Sequence, residues 1–457
     1  MDRQNVGIIG GGPGGLFTAY FLRKKCYHAL LMTLFEASDR LGGKIHTKQF
    51  DQAGIRYEAG AAELYDYSLV DEDPLREMIT EFDLPTTLMG GSAVIMNNQI
   101  LANLEDIRLH LGSQALHEIA HFDRVAKDWM SPREFYGSDL PGSPHHQNPG
   151  NRFCDTLNQI SNKHARSYIE TLIHSDLATE PENTSVSYGL QNYLMNDPAY
   201  MRLYTIEGGI ERLPRELARR IDATVLLEQP VLAVGRTPTG KLRVTSNRQG
   251  LERHDEFDYL VVALPNNLLP GIRWEGERLA TALHQHHQHH DHPAHYLRIT
   301  LLFAHPFWRD RLSDSFFMAD SFDGCCIYDE SSRMPGASHG VLGWLLGGQA
   351  ALAWSRLDDQ ALVAEALRSL PALLGDGREY FLEGHVHRWL NAVNGLPGGT
   401  PHLPLDRRHQ PEPMEHPNLF VVGDYLFDST LNGVLDSADH VTGWLAGWLA
   451  EKPGVPR

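Results

Sequence analysis

The stretch VGIIGGGPGGLFTAYFL at residues 6–22 decides the fold of the first part of the chain. Its apolar start predicts a β-strand, its glycines predict a tight turn, and its apolar end predicts a helix that packs on the strand. Glycines at this spacing let the backbone turn and approach a diphosphate, and the helix N-terminus attracts the phosphates. The residues that we assign to this dinucleotide site are Gly10, Gly12, Pro13, Gly14 and Gly15.

A second apolar run, residues 30–35, ends at an acidic residue, Glu36. In dinucleotide-binding βαβ units, an acid about 20 residues beyond the glycines accepts hydrogen bonds from ribose hydroxyls. Glycine-rich turns alone are common, but here the strand, turn, helix, second strand and acid occur in the required order. We therefore predict a βαβ unit with Glu36 at the ribose and Ala37 in the same site.

Composition narrows the class of protein. The 457 residues carry a net charge of −18 at neutral pH, which disfavours nucleic acid as a partner. No apolar run reaches the length of a membrane span, and the first strand begins too early to leave room for a signal peptide. Four scattered cysteines do not form a disulfide framework. We expect an acidic, cytoplasmic, multidomain enzyme with no membrane partner; the oligomeric state stays open, with a homodimer as one arrangement.

Periodicity along the rest of the chain predicts alternating strands and helices, and segments of the cofactor-binding type recur at both ends and in the middle. The domains are therefore expected to be interleaved. Residues 131–152, rich in Pro, Gly and His, are expected to form an exposed loop. The predicted strands are 224–231, 241–246, 257–263, 297–303, 341–346 and 419–422, and the predicted helices are 74–82, 153–200, 211–221, 362–373 and 433–450.

Further motifs in a fixed order connect the chain to a known family. They are Gly42-Gly43-Lys44, Gly208-Gly209 with Leu213, Val261 to Pro265, Phe307-Trp308, and Gly423-Asp424 followed by Gly433. With these motifs the chain resembles the flavin-containing amine oxidase superfamily, in which an arginine usually stands at the position of Lys44. The resemblance spans nearly the whole chain.

The resemblance implies an α/β fold in which a doubly wound FAD-binding domain is interleaved with an α+β substrate domain that carries a mixed sheet and helices. It implies FAD as the cofactor, bound non-covalently because no cysteine follows residue 380. The expected FAD-binding segments are 1–85, 203–284 and 404–457, and the expected substrate-binding segments are 86–202 and 285–403.

The resemblance also implies roles for individual residues. Asp424 is expected to bind ribityl or ribose hydroxyls, and the helix that starts at Gly433 to point its positive end at the pyrimidine edge of the flavin. Arg40 and Lys44 are expected near the diphosphate. The remaining residues assigned to the cofactor are Gly43, Gly60, Ala61, Val231 and Val434.

The implied reaction removes a hydride from the carbon beside an amine nitrogen, and dioxygen reoxidises the flavin to give an imine and hydrogen peroxide. Many amine oxidases place a lysine ten residues before the tryptophan of the Phe-Trp motif, where this chain has Arg298. Arginine stays protonated and cannot act as a base, but it can order a water or pair with a substrate carboxylate. A surface arginine on an edge strand is the alternative.

Three other positions bear on the substrate. The place of one flavin-facing aromatic is taken by Val434, while Trp389 is a candidate pocket wall or a core residue. L-amino acid oxidases tend to carry an arginine where this chain has Glu63, and a carboxylate there favours a cationic substrate; a salt bridge or a helix-dipole contact is the alternative. The residues assigned to catalysis are Arg298, Trp389 and Glu63.

Two other functions stay open at this stage. One is a flavin desaturase or L-amino-acid-type oxidase acting on a carboxylated or biosynthetic intermediate, which Arg298 would suit. The other is a non-catalytic flavin-binding protein. The histidine-rich run 284–295 contains pairs at metal-binding spacing, such as His286 and His290, but a solvated helix face is the favoured interpretation.

Overall fold

A computed structural model describes residues 3–26, 30–69, 72–137, 151–334, 336–395, 403–427 and 429–451. In chain order, the first half contains β1 (Gln4–Ile9), α1 (Pro13–Lys25), β2 (Leu30–Phe35), β3 (Thr47–Gln49), β4 (Arg56–Glu58), β5 (Leu64–Asp66), α2 (Pro74–Glu81), β6 (Thr86–Met89), β7 (Val94–Met96), β8 (Gln99–Leu101), α3 (Leu104–Leu111), α4 (Ser113–Trp129), α5 (Pro132–Gly137), α6 (Phe153–Leu157), α7 (Lys163–Leu177), α8 (Val186–Leu194), β9 (Arg202–Ile206), α9 (Arg212–Arg220) and β10 (Ala223–Leu226).

The second half contains β11 (Val231–Arg236), β12 (Leu242–Arg248), β13 (Leu251–Phe257), β14 (Tyr259–Val262), β15 (Arg273–Trp274), α10 (Glu277–His289), β16 (Pro293–Phe303), β17 (Phe316–Ala319), β18 (Cys325–Asp329), β19 (Gly340–Gly347), α11 (Gly348–Trp354), α12 (Asp359–Ser369), β20 (Phe381–Asn394), α13 (Leu405–His409), β21 (Leu419–Val421) and α14 (Leu431–Glu451). Short 3₁₀ turns connect several of these elements.

The chain forms two compact units, each assembled from separate segments. Unit 1 comprises Met1–Ile45, Glu211–Asp291 and Leu403–Arg457, and unit 2 comprises His46–Ile210 and His292–His402. The predicted FAD-binding segment 1–85 extends beyond Ile45, where the first segment of unit 1 ends, whereas the predicted segment 203–284 both begins and ends before the second segment, Glu211–Asp291. Which stretches serve the cofactor and which serve the substrate stays a prediction.

Unit 1 is built on a five-stranded parallel sheet with strand order β10-β2-β1-β14-β21. Residues 6–9 of β1 and all of β14 are buried, as expected for parallel strands covered on both faces. Helices α1 and α14 pack against each other, and α9 packs on α1. This arrangement places the glycine turn at the carboxyl end of the central strand, where open α/β sheets bind ligands.

The predicted strand 224–231 is wrong in its extent, because the chain breaks into β10 and β11 at a turn in which Glu228 takes a φ of 53°. The polar turn expected between residues 246 and 257 contains a further strand, β13, paired with β12. Most of its side chains are exposed, so hydrophobic periodicity does not reveal it. These strands belong to a second sheet with the order β13-β12-β11-β15.

Unit 2 is built on a mixed seven-stranded sheet with strand order β20-β16-β19-β18-β17-β7-β8, in which only β17 and β7 run parallel. One face of this sheet packs on α12 in a core that includes Trp344 and Ile299. The other face packs on a helical layer that contains α4, α7 and α8. A small sheet, β5-β9-β6, belongs to the same unit.

The predicted loop 131–152 is wrong at its start, where residues 132–137 form α5. Ser131 and Glu134 make reciprocal hydrogen bonds there, in the manner of a capping box that starts a helix. Residues 138–150 of that prediction lie outside the described residues. The cysteines that the structure describes are all free, and Cys325 and Cys326 are buried in β18.

Candidate functional site

The glycine turn of unit 1 leaves the first turn of α1 open to a ligand. Gly10 takes a φ of +109°, which favours glycine, and a Cβ at Gly15 would overlap the Gly10 carbonyl oxygen. α1 begins at Pro13, and no side chain caps its N-terminus at Gly12. The N–H groups of this helix end therefore stay available for an anion, and a diphosphate fits them.

Glu36 stands at the carboxyl end of β2 with its carboxylate held across the turn. Oε2 accepts a hydrogen bond from the Gly11 N–H at 2.7 Å, and Oε1 accepts one from the Ser38 N–H at 2.8 Å. The Gln229 N–H donates to the Glu36 carbonyl at 2.8 Å, which brings the segment leading to Val231 beside it. Oε1 also accepts a hydrogen bond from Ser38 Oγ at 2.7 Å, whereas Oε2 retains a second lone pair that suits a ribose hydroxyl.

A second pair of charged groups joins two distant segments of unit 1. Lys44 Nζ lies 2.9 Å from Oδ2 of Asp424, a residue just past the end of β21. Arg40 braces the intervening turn by donating to the carbonyls of Gly43 at 2.6 Å and Ile45 at 3.1 Å. Ala37 follows Glu36 directly in the chain, and its role at the cofactor stays a prediction.

The last helix of unit 1 starts slightly earlier than predicted. α14 begins at Leu431, two residues before Gly433, whose N–H donates to Thr430 Oγ1 at 3.0 Å. Val434 is buried and lies against Gly14: a Cβ at Gly14 would be 3.2 Å from Val434 Cγ2. The Gly423 N–H donates to Ser437 Oγ at 3.1 Å, which anchors the turn that carries Asp424.

Together, the open helix end, the glycine backbone, Glu36 and Asp424 fit a dinucleotide cofactor. The backbones of Gly12 and Gly43 approach closely enough that a Cβ on Gly43 would stand 3.0 Å from the Gly12 Cα. The sequence-predicted cofactor residues of unit 1 are thus brought into one region around the turn after β1. The predicted residues Gly60 and Ala61 lie in unit 2, just after β4, and their role stays a prediction.

In unit 2, strand register gathers polar side chains on one face of the seven-stranded sheet. Arg298 on β16 pairs with Leu345 on β19, and Leu345 pairs with Cys326 on β18. Because alternate residues of a strand point to one face, Arg298 shares its face with Tyr296 and, across the sheet, with Tyr328. The opposite face is apolar and carries core residues such as Leu297, Ile299, Trp344 and Ile327.

Arg298 is buried, with only 1% of its surface exposed, and it lies on an interior strand of the sheet. The alternative of a surface arginine on an edge strand is therefore wrong. Its Nη2 donates to Glu330 Oε1, and Glu330 Oε2 accepts the Glu58 N–H at 2.8 Å. Gly343 leaves room for this ion pair, because a Cβ there would be 2.6 Å from Glu330 Oε1 and 3.2 Å from Arg298 Nη2.

Two carboxyl groups lie near this polar face, and both are partly buried. Burial raises the pKa of Asp176 on α7 to about 8, and the nearby Glu63 adds to the rise. Burial also raises the pKa of Glu63, which the Arg298 and Arg333 guanidinium groups partly oppose. Among the described residues, Glu63 Oε2 has no hydrogen-bond partner.

Asp176 was not identified from the sequence. Its position follows from Gly347, where a Cβ would be 2.8 Å and 2.9 Å from the carbonyl oxygens of His174 and Ser175, so that α7 packs closely on β19. Asp176 stands between the buried residues Ser175 and Leu177 near the end of α7, and an acid flanked in this way is a local signal of such a site. Glu330 and Arg333 were also missed, because they follow β18 in a segment without a recognisable motif.

Trp389 lies on β20 opposite Tyr296 of β16 and is partly buried. Its Nε1 donates to the Ala59 carbonyl oxygen at 2.7 Å, which fixes the indole ring beside the segment that carries Gly60. Whether the ring contacts substrate stays a prediction.

The histidine-rich run is not simply a solvated helix face. His286 is 5% exposed, its ring lies against Tyr425, and burial lowers its pKa to about 3. His286 and His290 do share one face, with ring centroids 4.8 Å apart. In the part of the chain that the structure describes, no group of three or more metal-ligating side chains is found, and no helix is long and apolar enough to cross a membrane.

Comparisons with known proteins identify the family. Residues 13–441 match the family described as flavin containing amine oxidoreductase. A solved structure of cyclohexylamine oxidase from Brevibacterium oxydans IH-35A is similar, with a TM-score of 0.75 and 18% identity over 98% of this chain and 100% of that chain. Wild-type putrescine oxidase bound to putrescine gives a TM-score of 0.73 with 19% identity over 98% of this chain and 99% of that chain.

Among curated proteins, coproporphyrinogen III oxidase of Staphylococcus aureus (strain NCTC 8325 / PS 47) is 32% identical over 97 residues, which are 21% of this chain and 20% of that protein. The match thus spans about a fifth of that relative. The predicted α/β fold class, the FAD cofactor and the oxidoreductase class are confirmed by the family and the structural matches. The chain belongs to the family of flavin containing amine oxidoreductases.

Proposed function

We propose that this protein is an oxidase that removes a hydride from the carbon next to an amine nitrogen, with an imine and hydrogen peroxide as products. The observation that supports an amine as the substrate is the pair of partly buried carboxyl groups, Glu63 and Asp176, in unit 2. Two carboxyl groups that are shielded from water and close enough that one raises the pKa of the other are costly to ionise together, and a bound ammonium group offsets that cost.

The cofactor assignment rests on the geometry of unit 1. The α1 N-terminus and the glycine backbone would hold the FAD diphosphate, and Glu36 and Asp424 would hold hydroxyl groups. Since no cysteine follows residue 380, we propose that FAD is bound non-covalently. When bound, the flavin supplies the hydride acceptor and the route of two electrons to dioxygen.

The chain's own residues then bind the amine and handle its proton. An amine in water is mostly an ammonium ion, which must lose a proton before a hydride can leave the neighbouring carbon. Asp176, whose pKa is raised to about 8 by burial, is suited to accept that proton at a carboxylate oxygen. Arg298 stays protonated and therefore binds or orients rather than acts as a base. The tyrosine rings of Tyr65 and Tyr296 are partly buried near both acids and limit the access of water.

The test is anaerobic reduction of the purified yellow holoenzyme by a panel of primary, secondary and aromatic amines. We expect bleaching of the flavin by amines and one peroxide per turnover after oxygen is admitted. Glu63→Gln and Asp176→Asn should lower kcat/KM for amines at least tenfold, whereas exposed Asp155→Asn should not. Bleaching by none of the amines would rule out the proposal; bleaching without peroxide would retain the amine and replace the oxidase by a dehydrogenase.

A further inference from the structure

Two buried arginines of unit 2 lie against the ring of Tyr328. The guanidinium carbon of Arg298 is 5.2 Å from the ring centroid, and that of Arg333 is 5.5 Å away. The two residues are 1% and 6% exposed. Among the described residues, five of their nitrogens have no hydrogen-bond partner, namely Nε and Nη1 of Arg298 and Nε, Nη1 and Nη2 of Arg333.

The protein pairs these two guanidinium groups unequally. Glu330 neutralises Arg298, but no carboxylate oxygen among the described residues lies within ion-pair distance of Arg333. Glu58 and Glu63 act on Arg333 electrostatically, but the Glu58 oxygens already accept hydrogen bonds from the Ile210 N–H and Thr47 Oγ1, each at 2.8 Å. A buried cation without a partner is expensive, so this position calls for an anion.

We propose that Arg298 and Arg333 bind a carboxylate of the substrate, so that the amine oxidised by this enzyme also carries an acid group. The proposal rests on the proposed function and specifies its substrate class. The planar guanidinium groups, with several N–H donors each, match the two oxygens of a carboxylate.

The position of Glu63 agrees with a substrate that carries both charges. Glu63 interacts electrostatically with Arg298 and Arg333 on one side and with Asp176 on the other. A carboxylate at the arginines would therefore lie next to an ammonium group at the two acids. Amino acids and longer amino carboxylic acids have this pattern of charge, whereas simple monoamines and diamines do not.

The first experiment compares matched substrates that differ only in the carboxylate. Anaerobic flavin reduction is measured for phenylalanine against 2-phenylethylamine, lysine against 1,5-diaminopentane, and 6-aminohexanoate against hexylamine. We expect the acid of at least one pair to react with kcat/KM at least tenfold above its amine. In Arg333→Gln this preference should fall about ten- to hundredfold, the effect of losing charge-assisted hydrogen bonds.

The second experiment measures binding without turnover. Calorimetric titration of the holoenzyme with 3-phenylpropanoate, which has no amine, should show binding that weakens about ten- to hundredfold in Arg333→Gln and less in Arg333→Lys. Arg368→Gln, at a position that is 67% exposed, is the matched control and should bind normally. If Arg333→Gln fails to fold, Arg333→Lys and the wild-type substrate pairs carry the test.

The outcomes separate this proposal from the function on which it rests. Reduction by amines and acids alike, with no preference in any pair and no binding of 3-phenylpropanoate, would overturn the carboxylate site but leave the amine oxidase intact. Unchanged binding in folded Arg333→Gln and Arg333→Lys would overturn it as well. Failure of every compound to reduce the flavin would remove the proposed function, whereas the calorimetric result would still decide whether the arginines bind a carboxylate.

Discussion

The ion pair between Arg298 and Glu330 makes a stability prediction that tests the arrangement of unit 2. Both side chains are nearly inaccessible to solvent, with 1% and 2% exposed. Glu330→Gln keeps the shape of the side chain but removes its charge. Whichever way the new amide turns, its NH₂ group faces a donor, either Arg298 or the Glu58 N–H. The variant therefore leaves a buried charge and a buried donor unsatisfied.

The expected cost follows from removing one partner of a buried pair. Such changes lower the free energy of unfolding by about 3 to 5 kcal/mol, because the remaining charge stays desolvated. For a unit of this size, each kcal/mol lowers Tm by roughly 2 °C, which predicts a fall of about 6 to 10 °C. Replacing both partners, as in Arg298→Met with Glu330→Met, should cost less than Glu330→Gln because no buried charge remains.

The assay combines calorimetric melting with amide hydrogen exchange on β16, which reports the stability of the strand that carries Arg298. Glu365→Gln is the control, since Glu365 and Arg368 form an i,i+3 pair on the surface of α12. Its loss should cost less than about 1 kcal/mol. A Tm for Glu330→Gln within 2 °C of the wild type would refute the reasoning, as would a double variant less stable than the single one.

Four further predictions concern the cofactor residues and Asp176. Gly15→Ala should abolish flavin binding, because its Cβ would overlap the Gly10 carbonyl oxygen; the flavin content of the purified protein measures this. Asp424→Asn should lower the affinity for FAD about tenfold in a titration of apoprotein, and normal affinity would contradict the assignment. Because the Asp176 pKa is raised to about 8, its carboxyl binds a proton on folding, so it makes the free energy of unfolding fall as pH rises from about 4 to 8. Asp176→Asn should make this fall shallower but not abolish it, because burial also raises the pKa of Glu58 and Glu63. Because Asp176 loses its proton near pH 8, we also expect a permanent cation, benzyltrimethylammonium, to bind more tightly as pH rises through about 8. A dissociation constant that does not change with pH would contradict this prediction.

Much of unit 1 was predictable because its signals are local. The glycine turn, the helix that follows and Glu36 lie within one βαβ unit, and their spacing along the chain already determines which groups face the ligand. The structure places them as the spacing predicts. The exceptions are the exposed strand β13, whose polar residues carry no hydrophobic period, and helix α5, which is started by a capping box inside a loop-like composition.

The candidate substrate residues were only half predictable. Arg298 was found by counting from Trp308, and Glu63 by counting from Gly60, but their partners carry no motif. Whether Arg298 was buried or exposed depended on its strand being interior, which a single strand's sequence does not show. Asp176, Glu330 and Arg333 emerged only when the strands and helices were packed.

The sequence by itself determined the fold family and the cofactor. A dinucleotide is held by backbone groups and an acid that lie close together in one stretch of the chain, so their spacing can be recognised in the sequence. Only the tertiary structure decided which charges meet. Strand register brings Arg298 to Glu330. Because glycine has no Cβ, Gly343 leaves room for this ion pair and Gly347 leaves room for α7 against the sheet. The energies of those charges depend on burial and on neighbours far along the chain. The charges that would bind the substrate are therefore decided by packing, and no sequence motif shows them.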